Sequence, residues 1–136
     1  MVRFIANGNF IKDDGVKVIP VARNGDIDPK VSQYEILFPS AFEGFKKNCK
    51  NNNVSLGYVL MYGHENAALI TCKHNMKSDI SMYDFIRGIK VLVNIKKVKR
   101  IAINLETLTD DVSSWAINEQ LSEGLKGLHA DINIYC

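Results

Sequence analysis

Apolar residues recur along this chain in two rhythms, short continuous runs and longer stretches spaced every three or four positions. The runs read as strands and the spaced stretches as helices. Residues 2–6 and Phe10–Lys12 are short runs separated by Asn7-Gly8-Asn9, a turn signal. Val16–Ala22 is a valine- and isoleucine-rich strand. Asp28 then reads as an N-cap with Pro29 at the first helical position, and Val31, Tyr34 and Phe38 follow at helical spacing up to Pro39. Ser40 and Glu43 fit a capping box for the next helix, whose stripe is Phe42, Phe45 and Cys49 and whose stop is Asn51-Asn52-Asn53. Residues 54–62 and 67–71 flank Gly63-His64-Glu65-Asn66 as a hairpin. Met82, Phe85, Ile86, Ile89 and Val93 mark a long helix, 101–105 a strand, and Ile117, Leu121 and Leu125 a further helix that Gly127 stops. The last strand is 132–135. Strands alternating with helices predict an α/β fold, a three-layer α/β/α sandwich on a mixed central sheet. Ligands in such folds sit at the carboxyl ends of the strands.

Composition narrows the function classes. The 136 residues are expected to form one domain, 1–136, and the 46% apolar and 24% charged fractions are those of a globular chain. A net charge of +2 predicts no strong attraction to nucleic acid or membrane. The one basic cluster, Lys96-Lys97-Val98-Lys99-Arg100, reads as a solvated helix end. Cys49, Cys72 and Cys136 show no CxxC spacing, which predicts free thiols in a reducing cytosol. No signal peptide, apolar span or lipidation motif is evident, so a cytoplasmic protein without a membrane partner is expected. No cluster has zinc spacing and no serine sits in a nucleophile elbow; no metal or cofactor is expected.

The turn from the 101–105 strand into the following helix is where α/β proteins bind phosphates, on backbone N–H groups and a helix N-terminus. Such turns use glycine so that the backbone can approach the ligand. Here the turn holds Glu106, Thr107, Leu108, Thr109, Asp110 and Asp111. On local grounds Thr109 reads as an N-cap and the two aspartates as acids complementing the helix dipole. Lys73 and His74 read as a solvated loop end, Cys72 as a buried thiol, Asn9 and Asn24 as turn residues, and Trp115 as a core anchor.

Four stretches resemble the macro domain, the ADP-ribose-binding module, and within it the branch holding DarG antitoxins and the terminal ADP-ribose protein glycohydrolase. They are Ile5-Ala6-Asn7-Gly8-Asn9-Phe10-Ile11, residues 38–49 with 56–60, Leu69-Ile70-Thr71-Cys72-Lys73-His74 with Tyr83-Asp84-Phe85-Ile86, and Ile101-Ala102-Ile103 with Trp115 and residues 131–135. The resemblance implies that Asn9 stands where the family has an aspartate accepting from the adenine amino group, without that residue's charge. It places the distal-ribose asparagine near Arg23 or Asn24, and reduces the first phosphate loop to Gly25-Asp26-Ile27-Asp28-Pro29, whose two acids would repel a diphosphate. The second phosphate loop falls on 105–110, with Thr107 and Thr109 counted among the ligand-binding residues. The branch uses a lysine nucleophile assisted by an aspartate. The lysine falls in register on Cys72, one residue before Lys73, and the aspartate on Asp111.

Three readings follow from that resemblance. The first is recognition of ADP-ribose, a related nucleotide, or an ADP-ribosylated protein or nucleic acid. The second is a glycohydrolase that removes ADP-ribose with Lys73 and Asp111, which suits a small phage-like protein countering an ADP-ribosylation-based defence or toxin. The third is a catalytically dead macro fold that binds a protein partner as an inhibitor module. The missing loop glycines favour the first and third.

Overall fold

The computed structural model describes residues 1–51 and 54–136. Six strands, β1 (Val2–Ile5), β2 (Val16–Ala22), β3 (Val59–Tyr62), β4 (Ala67–Lys73), β5 (Arg100–Asn104) and β6 (Asp131–Tyr135), form one sheet in the order β1-β6-β5-β2-β4-β3. Every pairing is parallel except β3 with β4, which form the expected hairpin through Gly63–Glu65 and Asn66, the latter left-handed at φ 53°. The helices are α1 (Gln33–Leu37), α2 (Pro39–Lys50), α3 (Met82–Asn94) and α4 (Trp115–Gly124).

Alternation along the strands sends their side chains into two cores. Val18, Ile70, Cys72, Ile101, Ile103, Ile132 and Ile134 meet Phe85, Ile89, Leu92 and Leu121 from α3 and α4. Ile19, Val21, Leu69 and Ala102 meet Tyr34, Phe42 and Phe45 from α1 and α2. Full burial of each such side chain contributes about 1.5–3 kcal/mol. The sheet is thus covered on both faces, the three-layer α/β/α arrangement expected from the alternation.

Several local expectations are corrected. Phe10–Lys12 is a 3-10 turn capped by Asn9, not a strand, so β3–β4 is the antiparallel pair that makes the sheet mixed. Helix α1 starts at Gln33 rather than at Pro29: the Asp28 carboxylate accepts from Lys30 N at 2.9 Å and its carbonyl from Val31 N and Ser32 N, which caps only the turn before α1, while the same carboxylate also takes Lys73 Nζ. The Ser40/Glu43 capping box does not form. Pro39 occupies the first turn, and the free N–H groups of Ser40 and Ala41 donate to the Glu65 carboxylate at 2.9 and 2.8 Å. That carboxylate arrives from the β3–β4 turn, so a remote acid caps α2. The helix ends at Lys50 with Asn51 as its cap; Asn52 and Asn53, named as its stop, lie outside the described residues. Trp115 is 74% exposed. It stands about a third of a turn from the Ile117–Leu121–Leu125 stripe that faces the core.

The sheet also opens where a crevice is needed. Pairing of β2 with β5 stops at Val18–Ile103, whereas pairing with β4 continues to Ala22–Lys73. Pro20, two residues past Val18, has no N–H to offer a ladder. The chain crosses over β2 between β4 and β5, so this gap is the topological switch point where α/β sheets bind ligands.

Candidate functional site at the strand carboxyl ends

Three loops converge over the carboxyl ends of β2, β4 and β5. The register shift at the end of β4 decides what they enclose. Val21 pairs with Thr71, but Ala22 pairs with Lys73, leaving Cys72 without a partner on β2. Such a bulge re-aims the side chains around it. Cys72 packs into the α3–α4 core, where burial pushes its thiol up to about 12 despite the neighbouring lysine, so this sulfur is inert.

Lys73 turns instead into a cavity of about 350 Å³ shared with Asp28, Lys30, Asp79, Thr107, Thr109 and Asp110. It is only 7% exposed, and its Nζ donates to Asp28 Oδ2 at 2.7 Å and to the Met76 carbonyl at 3.2 Å. Burial raises the Asp28 carboxyl, but hydrogen bonds from Lys73 and the Lys30 backbone, with the charges of both lysines, hold it below the usual carboxylate value. Lys30 in turn forms an ion pair with Asp110, which joins the loop after β2 to the loop after β5. Three carboxylates thus face two ammonium groups around the cavity.

The loop after β2 is stitched to the loop after β4. Asn24 Nδ2 donates to Asp26 Oδ2 at 3.0 Å, and the same oxygen accepts from Met76 N at 3.3 Å. The Arg23 N–H donates to the Lys73 carbonyl at 2.9 Å. Gly25 is left-handed at φ 89° and lies so close to Cys49 of α2 that a β-carbon there would sit 3.3 Å from the Cys49 Cβ. The positive dihedral is what calls for glycine there, and the contact adds a tight fit. Arg23 and Asn24 are exposed, outside the cavity lining, and the Asn24 amide is spent within its own loop.

On the third loop, the buried Thr107 donates its hydroxyl to the Asn104 carbonyl at 2.6 Å, and Thr109 Oγ1 accepts from Asp111 N at 3.1 Å. Asp111 is exposed, its Oδ1 accepting from Ser113 N and Oγ, and it is not among the cavity-lining residues; Asp110 is.

A second cavity, about 320 Å³, opens on the other flank of the same turn and is lined by Asn9, Phe10, Gln33, Tyr34, Glu106 and Tyr135. Phe10 packs edge-on against Tyr34 and Tyr135 at 5.6 and 6.2 Å between ring centroids. Asn104 fixes this wall, donating to the Tyr34 hydroxyl at 2.8 Å and accepting from Glu106 N at 3.2 Å. Asn9 Oδ1 accepts from Ile11 N at 3.1 Å, which ties its carbonyl to its own turn. Gly8 passes so close to the Tyr135 ring that a β-carbon would come within 2.7 Å of it.

Of the residues singled out from the sequence, Lys73, Thr107 and Thr109 share the first cavity and Asn9 lines the second. Arg23, Asn24 and Gly25 form an adjoining loop, and Asp111 lies outside both linings. Lys30 and Tyr34 were not singled out as site residues, while Asp28, Glu106 and Asp110 were read only as acids of the two phosphate loops, Asp110 also as an acid at a helix start. Asp28 carried a signal of another kind, its aspartate–proline pair reading as a helix start. Among the described residues, no group of three or more His, Cys, Asp or Glu side chains is placed to hold a metal ion. Among the described residues, no helix is long and apolar enough to cross a membrane.

No protein-family model and no curated protein sequence matches the chain. Solved structures do. The macrodomain of Thermus aquaticus DarG superposes with a TM-score of 0.80 over 100% of this chain and 98% of that one, at 19% identity. The macrodomain of Mycobacterium tuberculosis DarG gives 0.77 over 99% and 97% at 15% identity. Thermosipho africanus DarTG, solved in complex with ADP-ribose, gives 0.77 over 98% of this chain and 41% of that longer one, at 15% identity. At these identities the likeness is one of fold, and the fold is that of a macrodomain.

Proposed function

We propose that this macrodomain-fold chain recognises ADP-ribose, or the ADP-ribosyl group of a modified protein or nucleic acid, across the two cavities at the carboxyl ends of its strands. One observation carries the reading. An aromatic-walled cavity and a lysine-bearing cavity lie on either flank of the 105–110 turn, beside the gap between β2 and β5. A dinucleotide-like ligand has a base for the first and a ribose for the second, with its phosphates crossing the turn between. Thermosipho africanus DarTG, part of which shares this fold, was solved in complex with ADP-ribose.

In this reading Asn9, Phe10 and Tyr34 receive the base end. Thr107, Thr109 and the Gly25 loop flank the phosphates, and Lys73 faces the distal ribose. Recognition is favoured over turnover. The turn lacks glycine, carboxylates outnumber ammonium groups around Lys73, and Asp111 is turned to solvent. A role in countering an ADP-ribosylating toxin or defence belongs to the same proposal. A second reading, a protein-binding module, draws on Trp115, Tyr83 and Ile36, three large apolar side chains held in solvent.

Calorimetric titration with ADP-ribose at low salt separates the two. The first reading predicts micromolar binding, about −8 kcal/mol, lost in Lys73→Met. No heat and no thermal shift at millimolar ADP-ribose would leave the protein-binding reading.

A further inference from the structure

We infer that Asp28 holds Lys73 as a fixed, buried ammonium and thereby keeps its nitrogen from acting as a nucleophile, so that Asp28 is a positioning residue that sets the chemistry of this cavity. An amine attacks only through an unshared electron pair, and an ammonium has none. The Lys73 ammonium has two acceptors, Asp28 Oδ2 at 2.7 Å and the Met76 carbonyl at 3.2 Å. The Lys73 side chain is only 7% exposed and that of Asp28 25%, so the ammonium is shielded from water while its partner carboxylate keeps partial access. Asp28 is itself held in place by the Lys30 N–H at 2.9 Å.

The other charges facing the cavity do not take over this role. Lys30 and Asp110 pair with each other across it, and Asp79 lines its rim without an ion-pair partner among the described residues. Removing a counter-ion from a buried ammonium favours the neutral amine, because burial penalises the charged form. Asp28→Asn keeps the shape and deletes the charge, which makes the latch testable. The inference concerns this chain's own lysine and does not require any particular ligand.

The probe is formaldehyde with cyanoborohydride. An unprotonated lysine nitrogen adds to the formaldehyde carbon, water leaves, and hydride from cyanoborohydride reduces the iminium to a methylamine. Methylation of each lysine is followed by peptide mass spectrometry at one neutral pH, with Lys47, which is exposed and paired with Glu43 only on the water-accessible surface, as internal standard. In the unsubstituted protein Lys73 labels more slowly than Lys47. In Asp28→Asn its rate rises about tenfold relative to Lys47, because a buried ammonium has then lost its counter-ion. Asp28→Glu, which restores the carboxylate, returns it to the slow rate. Circular dichroism confirms that each variant is folded, and Asp28→Ser carries the same expectation if the asparagine variant is not. Fast labelling of Lys73 in the unsubstituted protein overturns the inference. So does an unchanged rate in the neutral variants, or equal acceleration by Asp28→Glu. Absence of ADP-ribose binding leaves it standing.

Discussion

Lys73 owes its orientation to one unpaired residue. Alternation along a strand sends neighbours to opposite faces, and the motif position falls on Cys72, so the sequence alone leaves the lysine one step out of place. The bulge resolves this by leaving Cys72 unpaired on β2, buried in one core, while Lys73 pairs with Ala22 and enters the cavity. No periodicity signals a bulge that depends on the partner strand, which is why the lysine was nameable and its direction was not. Asp28 was hidden for a related reason. Its partner lies 45 residues away, and nothing local distinguishes an ion-paired aspartate before proline from a helix cap. The pair has a pH signature. The folded Asp28 carboxyl titrates below its unfolded value of 3.8, so between those values the unfolded chain binds more protons and stability rises with pH. The contribution is complete above the unfolded value and is lost as pH falls through the folded one. Urea unfolding is expected to show Asp28→Asn less stable than the unsubstituted chain by about 3 kcal/mol near neutrality. That gap should close below pH 4; a gap independent of pH would contradict the pairing.

Elements were legible wherever apolar spacing was long and regular. Helices α2, α3 and α4, the β3–β4 hairpin and strands β2, β5 and β6 all follow the rhythm that names them. Misreadings came at ends and short pieces, where remote groups compete with local ones. The Glu65 carboxylate supplanted Ser40 at the start of α2, and Asp28 caps only the turn before α1 while also holding Lys73. Pro20 was the unread clue to the site, a residue without an N–H in a central strand just beyond the last β2–β5 pair. A test of packing at this scale is Gly88 in α3. Glycine inside a helix usually costs about 0.5–1 kcal/mol relative to alanine. A β-carbon here would meet Ile70 of β4 at 2.6 Å. Overpacking costs typically about 1–3 kcal/mol, so Gly88→Ala is expected to lower the urea midpoint. A raised midpoint would show that α3 has room to move off the sheet.

The whole molecule combines two packed cores with a rim of loops tethered to one another. The two cores come from residues whose pattern is plain in the sequence, and the resemblance to macrodomains reaches from β1 to β6. The rim loops are held by side-chain pairs: Lys73 with Asp28, Lys30 with Asp110, and Asn24 with Asp26. The two acids of the first loop, expected to repel a diphosphate, are both engaged, Asp28 by a lysine and Asp26 by amide donors. An anionic ligand therefore meets partly neutralised walls, and its binding is expected to weaken with salt to the extent that exposed charges take part. The most direct test of the two-cavity account is an amide NMR titration with ADP-ribose. Shifts are predicted together at Asn9 and Tyr34 in one cavity and at Lys73 and Thr107 in the other, saturating with a single dissociation constant. Shifts confined to one cavity, or none at millimolar ligand, would contradict the proposal that one ADP-ribose spans both.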